Sequence, residues 1–342
     1  MYGPEIMTPR EDPRIAIMIG ATAGLVAHFM SPTMVSKPTN LLVLALLSLI
    51  AGAAAGLLAA VFRLSLRQAD QFRDSVLSWG HTYGIVGFLV ILGISAITTA
   101  FAAWLVRRLS PHATGSGIPH VEAQLSGKWS GDPLCIIPVK FVGGLLAMGT
   151  GLALGREGPS VQMGASIAHL IGRIARCSEE QCKALLAAGA GAGLATAFNA
   201  PIAGAVFVLE ELVRSFNLQN TIATLGASAS AIGVARCLLG PDPDFRVAAM
   251  SYPGVGTLPI HFALGIAAGL LGVTYNFAIL GALRETERFG RYPAEFRAAG
   301  IGAAVGSLAW FAPGLVGSGD AITQRILGGE AVGMFGLVLE YP

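Results

Sequence analysis

The chain has 342 residues, of which 54% are hydrophobic and 12% charged, with a formal net charge of +2 and a mean hydropathy of +0.65. Soluble domains carry about 25% charged residues, so this composition excludes an ordinary soluble protein and predicts an integral membrane protein. The near-neutral balance and the lack of a basic run exclude nucleic acid as an expected partner.

Residues 1–40 read as a polar N-terminal tail followed by an extra apolar segment, Ile15 to Met30, interrupted at Ser31-Pro32. Glu5, Glu11 and Asp12 ahead of that segment do not suit a cleaved signal peptide. Long apolar windows follow: Pro38 to Phe62, Ser75 to Val106, Ala184 to Leu209, Ser215 to Pro241 (with only Arg236 charged), Val247 to Leu283 and Ala298 to Gly319. Each reaches the ~20 residues that a spanning helix needs. Their periodicity suits helices and lacks the alternation of a transmembrane barrel, so the expected fold is an all-α, multi-helix membrane bundle. Some windows are too long for one helix, and the apolar stretches beside Glu157 are too short to cross. Broken or re-entrant helices are therefore expected, which membranes tolerate where backbone lines a protein cavity. The first main-body helix is expected to end in a polar cap outside the hydrocarbon, at Arg63, Arg67, Asp70, Arg73 and Asp74.

Two landmarks recur in the same order. Ala53-Ala54-Ala55-Gly56-Leu57-Leu58 returns as Ile266-Ala267-Ala268-Gly269-Leu270-Leu271, and Trp104 before Gly115-Ser116-Gly117 returns as Trp310 before Gly317-Ser318-Gly319. One reading is chance similarity in Ala/Gly/Leu-rich sequence. The other is an internal, inverted repeat with a substrate site between its halves, as in many secondary transporters. On that second reading, residues 41–240 form the first half and 241–342 a partial second half. A second-half counterpart of Gly155, which lies 40 residues after Gly115, would fall near 317 + 40 = 357, beyond Pro342. The expectation is therefore a fragment of a longer protein, or a site completed from elsewhere.

Gly155-Arg156-Glu157-Gly158-Pro159-Ser160 sits between the uncharged stretches Phe141 to Leu154 and Val161 to Gly172. A carboxylate at membrane depth costs roughly 3 kcal/mol or more, which singles out Glu157. Gly155 and Gly158 let backbone approach a ligand, and Pro159 suits the first turn of a helix whose free N–H groups favour an anion. Ionised, Glu157 would fill such a site; protonated, it would leave the site to another anion, linking anion movement to proton movement. The plainer reading is a loop in which Arg156 and Glu157 pair near the surface. No Gly-Lys-Ser/Thr follows, so the motif is not a nucleotide loop.

Gly115-Ser116-Gly117-Ile118-Pro119 repeats this design with a hydroxyl in place of the carboxylate. A serine O–H can donate to an anion without adding charge, or Ser116 can serve as a helix N-cap. Lys140 either raises the local potential for anions or snorkels to the interface. Glu210 and Glu211 are adjacent, so one is expected to face the protein and the other solvent or Arg214, unless both mark a helix end. His120 and His169 have no partner at metal spacing and read as structural, and Cys135, Cys177, Cys182 and Cys237 read as packing residues, so no metal or cofactor is expected.

Together with Ala197-Phe198-Asn199-Ala200-Pro201 running into Glu210-Glu211, these motifs resemble the CLC family of chloride channels and proton/chloride antiporters, from about residue 41 onward. The resemblance implies that Gly115, Ser116, Gly117 and Ile118 surround a central chloride, and that backbone N–H groups around Arg156 and Gly158 face an outer anion site. It implies that Glu157 is a gating glutamate and Glu211 an inner proton-transfer glutamate, with Lys140 as electrostatic support. The implied activity is proton-coupled chloride antiport rather than enzyme catalysis, in a bacterial-type inner membrane, with chloride, protons and the lipid bilayer as partners. Serine in Gly-Ser-Gly-Ile-Pro implies chloride over nitrate, and the Gly-Arg-Glu-Gly-Pro form differs from the fluoride-exporting branch. Members are homodimers, which the complete chain is expected to be. The family's later Gly-x-Phe-x-Pro loop and pore tyrosine have no match in this sequence. Two other readings stay open: a passive chloride channel, which Glu211 argues against, and an intramembrane hydrolase using Ser116 with His120 or His169 as base, for which no full nucleophile motif is present.

Overall fold

The computed structural model describes residues 41–128, 132–242, 245, 247 and 254–328. The apolar segment expected within residues 1–40 lies outside the described residues, as do residues 329–342. Every regular element described is helical: α1 (Leu41–His81), α2 (Ile85–Leu109), α3 (Ile118–Leu125), α4 (Pro133–Gly149), α5 (Glu157–Ile174), α6 (Glu179–Phe198), α7 (Pro201–Phe207), α8 (Leu218–Leu239), α9 (Leu258–Arg288), α10 (Ala294–Phe311) and α11 (Asp320–Leu327). Among them α1, α2, α8 and α9 are long and apolar enough to cross a membrane. The others are shorter or interrupted. The protein is thus an all-α integral membrane protein.

The breaks fall where backbone chemistry puts them. The window Ser75 to Val106 is split by the turn at Thr82–Gly84, where Gly84 has φ 56°. Ala184 to Leu209 is split at Asn199, which ends α6 in the left-handed region two residues before Pro201 opens α7. The polar stretch from Arg63 to Asp74 does not end α1 but continues it. It holds no Gly or Pro, and Arg73 bonds Asp70 at 2.6 Å one turn back, so α1 runs on unbroken for 41 residues. At 1.5 Å per residue that is about 60 Å, twice the hydrocarbon thickness of ~30 Å. Arg63 is itself buried inside the bundle, donating from Nη1 to the Thr196 carbonyl at 2.9 Å.

α6 lies at the centre, buried almost continuously from Gln181 to Ala197, with α5, α8 and α1 packed around it. Lipid tails are as apolar as leucine, so such helices associate by close backbone approach. Gly164 of α5 and Gly189 of α6 each sit against the other's carbonyl, and Gly193 sits against that of Ser160, leaving no room for a β-carbon. Gly52 and Gly56 of α1 do the same against Ala227 and Ala231 of α8. α2 and α10 form a second pair, in which Gly302 and Gly306 meet Ser95 and Thr99, and Thr99 Oγ1 donates to the Ala298 carbonyl at 3.0 Å. α9 has no buried residue among the described ones.

The repeated landmarks correspond to repeated structure. α2 ends in a 3₁₀ turn (Pro111–Ala113), passes through Gly115 (φ 67°) and Gly117 (φ 92°), and enters the eight-residue α3. α10 ends in a 3₁₀ turn (Pro313–Leu315), passes through Gly317 (φ 92°) and Gly319 (φ 80°), and enters the eight-residue α11. Matching positive φ at two glycines per copy is not a property of Ala/Gly/Leu-rich sequence in general.

The same substitution therefore has opposite expected outcomes at two glycines. Gly189→Ala drives a methyl group into the α5 backbone and should destabilise the bundle by about 1–3 kcal/mol. Gly265→Ala, on exposed α9 with open space around it, should be neutral or stabilising by up to about 1 kcal/mol. Thermal unfolding of the two variants in detergent checks the contrast.

Candidate functional site

The described helices start in two ways. α4, α6 and α8 are capped by side chains: Asp132 accepts from the Leu134 N–H, Ser178 and Gln181 form a reciprocal capping box, and Asn217 accepts from the Asn220 N–H. α2, α3, α5, α7, α9, α10 and α11 have no side-chain cap, and of these α3 and α5 carry the two glycine-proline motifs. Their first N–H groups stand outside the helical ladder, Pro119 and Pro159 having none to offer. A terminus of this kind favours an anion by roughly 0.3–1 kcal/mol, and by up to ~2 kcal/mol where it is sheltered from water.

These two starts meet. The Ser116 carbonyl and hydroxyl press against Cα of Gly158, so that a β-carbon at 158 would overlap them. Gly115, Ser116 and Ile118 line one cavity of about 880 Å³ with Lys140, Gly155, Glu157, Gly158 and Pro159. Gly117 is not in its wall. It is the left-handed N-cap of α3 and is packed against Gln162, so Ser116 is not the helix cap that its sequence also allowed.

Lys140 does not snorkel, which corrects the plainer of its two sequence readings. It is 5% exposed, and its ammonium donates to the carbonyls of Ala113 at 3.0 Å and Gly115 at 2.5 Å. Two carbonyls that would otherwise present negative ends are thereby tied up on the far side of the Ser116 loop, and the loop is held in place. Gln162 was not picked out from the sequence. It is 2% exposed, one turn below Glu157 on α5, and its Nε2 donates to the His112 carbonyl at 2.9 Å. The only hint was an amide in an apolar run beside the glutamate.

Glu157 is the first residue of α5, half-buried, with its carboxylate folded onto Gly155; a β-carbon at 155 would overlap Oε2. It lines a second cavity as well, of about 570 Å³, whose polar walls include Arg63, Arg67, Asp70, Arg73, Arg156, Ser318 and Asp320. Glu157 thus stands where a polar vestibule and the Ser116 cavity adjoin. Arg156 faces the vestibule, with Nη1 3.5 Å from Asp320 Oδ2.

Glu211 is not brought to Glu157. It lies with Glu210 in a third cavity, of about 550 Å³, shared with Ile118, Glu122 and Arg214. Ile118 borders this cavity and the Ser116 cavity. The expectation of one inward and one outward glutamate is corrected: residues 208–212 form a π-helical turn and both carboxylates are exposed. Arg214 donates from Nε to the Glu211 carbonyl at 3.2 Å and pairs with Glu122 at 3.6 Å. His169 opens into a separate cavity beside Gln124 and Cys182, away from Ser116.

Comparison with known proteins shows which family the chain resembles in sequence and fold. The sequence profile of the family described as "Voltage gated chloride channel" (Voltage_CLC) matches residues 98–340. The H(+)/Cl(-) exchange transporter ClcA of Vibrio cholerae serotype O1 is 33% identical over 329 residues, covering 94% of this chain and 69% of the relative. The crystal structure of a slow cyanobacterial Cl-/H+ antiporter superposes with a TM-score of 0.77 at 30% identity, over 84% of this chain and 68% of that one. That of a CLC-type fluoride/proton antiporter gives 0.69 at 27% identity, over 89% and 75%. Matched by the family profile over residues 98–340 and 33% identical to a relative of which it covers 69%, this chain belongs to the voltage-gated chloride channel (CLC) family.

Proposed function

We propose that the protein is a proton-coupled chloride antiporter in which Glu157 gates the anion path. The observation that carries this is that Glu157 borders both the polar vestibule and the cavity lined by Ser116. A carboxylate at the start of α5 occupies the place that the helix end offers to an anion. When it takes up a proton it loses that advantage, and chloride can replace it at the N–H groups of Glu157 and Gly158 and at the Ser116 hydroxyl. Each exchange then carries a proton one way and chloride the other. Gly115, Gly117 and Ile118 shape the Ser116 loop, Lys140 supports it electrostatically, and Arg156 places positive charge at the vestibule.

Glu211 supplies the proton's other terminal, in a cavity next to Ile118 and separate from the vestibule. Its position supports exchange over passive conduction, because a channel has no use for a second titratable group off the anion path. Likeness to ClcA and to the cyanobacterial antiporter supports the same choice. The relatives are transporters, and a hydrolase reading of Ser116 is not supported by His169, which faces another cavity. The reading extends to a homodimer in a bacterial inner membrane.

In liposomes, Glu157→Gln should lower proton movement driven by a chloride gradient at least about tenfold, while chloride flux stays within about threefold of wild type. Unchanged proton pumping in that variant would remove Glu157 from the mechanism. Under opposed pH and chloride gradients, the wild-type reversal potential should shift with the pH difference; a potential set by chloride alone would mean a passive channel.

A further inference from the structure

The second Gly-Ser-Gly copy has the backbone of the first but not its chemistry. Where Ile118 opens α3, Asp320 opens α11, so that helix start carries its own carboxylate in its first turn. That carboxylate reaches back to the gate: Asp320 Oδ2 lies 3.5 Å from Arg156 Nη1, in the residue immediately before Glu157. A second link runs beside it. The Gly317 N–H donates to the Gly151 carbonyl at 2.8 Å, and Val316 packs on Gly151, whose φ of 95° leaves that face bare.

The segment so held, residues 150–156, is the non-helical stretch between α4 and α5. Within it the backbone bonds are short-range, from the Gly151 N–H to the Met148 carbonyl and from the Leu154 N–H to the Leu152 carbonyl. Neither fixes the direction in which the stretch leaves α4. The contacts from residues 316–320 do, because they grip it at Gly151 and at Arg156.

We propose that Asp320 is a positioning residue for the gate: by holding Arg156 it fixes the turn from which Glu157 projects, so tight coupling depends on a charge supplied by the second repeat. The inference rests on the antiporter reading above. Asp320 does not touch the transported anion and acts through Arg156.

The test measures protons moved per chloride in liposomes for wild type, Glu157→Gln, Asp320→Asn, Arg156→Gln, the Asp320→Asn/Arg156→Gln double variant and Asp320→Glu. Asp320→Asn and Arg156→Gln should each lower the ratio by about threefold or more, with chloride flux falling less than the ratio. The double variant should be no worse than the more affected single one, since both remove one interaction. Asp320→Glu, which keeps the charge, should recover most of the ratio; a merely structural contact would lower both fluxes in step. The Asp320 side chain is 49% exposed, so its neutral variant buries no new group, and Arg156→Gln tests the pair from its other end. Wild-type coupling in Asp320→Asn, or single effects that multiply in the double variant, would overturn the proposal. Wild type that moves no protons would instead overturn the antiporter reading.

Discussion

A helix that begins inside a membrane protein must do something with its first N–H groups, and everything distinctive in this molecule follows from how that demand is met. At α4, α6 and α8 a side chain meets it: Asp132, Ser178 with Gln181, and Asn217. At α3 and α5 no side chain does. Leaving donors unsatisfied in a low-dielectric setting is costly unless a mobile partner arrives. On the proposed reading, the acid at the first position of α5 is one such partner and the transported anion the other.

That arrangement only works if the two starts are held within reach of one another. Glycine does this twice, at different scales. At Gly158 the missing side chain lets the Ser116 loop touch the α5 backbone. Deeper down, Gly164, Gly189 and Gly193 bring α5 against α6 so closely that the helix carrying Glu157 has a fixed height in the bundle. Lys140 completes the framework from α4 by gripping the Ser116 loop through its carbonyls. The apolar bulk of the chain supplies solubility in lipid; the small residues supply position.

The parts that could be read from the sequence were those whose chemistry is local. Gly-Arg-Glu-Gly-Pro and Gly-Ser-Gly-Ile-Pro announce helix starts, because glycine lets the chain turn and proline suits the first turn of a helix. The helical class followed from window length, and the repeat from two spaced phrases. What could not be read was set by tertiary partners. The burial of Lys140 depends on carbonyls 25 and 27 residues away, and that of Arg63 on the Thr196 carbonyl 133 residues away. The π turn at 208–212 puts Glu210 and Glu211 on one exposed edge, which a 100° wheel could not anticipate. Asp320 was not singled out, since nothing near it in the chain reveals that Arg156 lies across from it.

The hydrogen bond between Gly317 and Gly151 joins positions far apart along the chain. Pairings of such separation form late, because a long loop must close before they repay its entropy. During synthesis the ribosome releases Ser116 and Glu157 well before it releases residues 316–320. The starts of α3 and α5 are therefore available to each other before the contacts at Gly151 and Arg156, which tether the stretch between α4 and α5, can form.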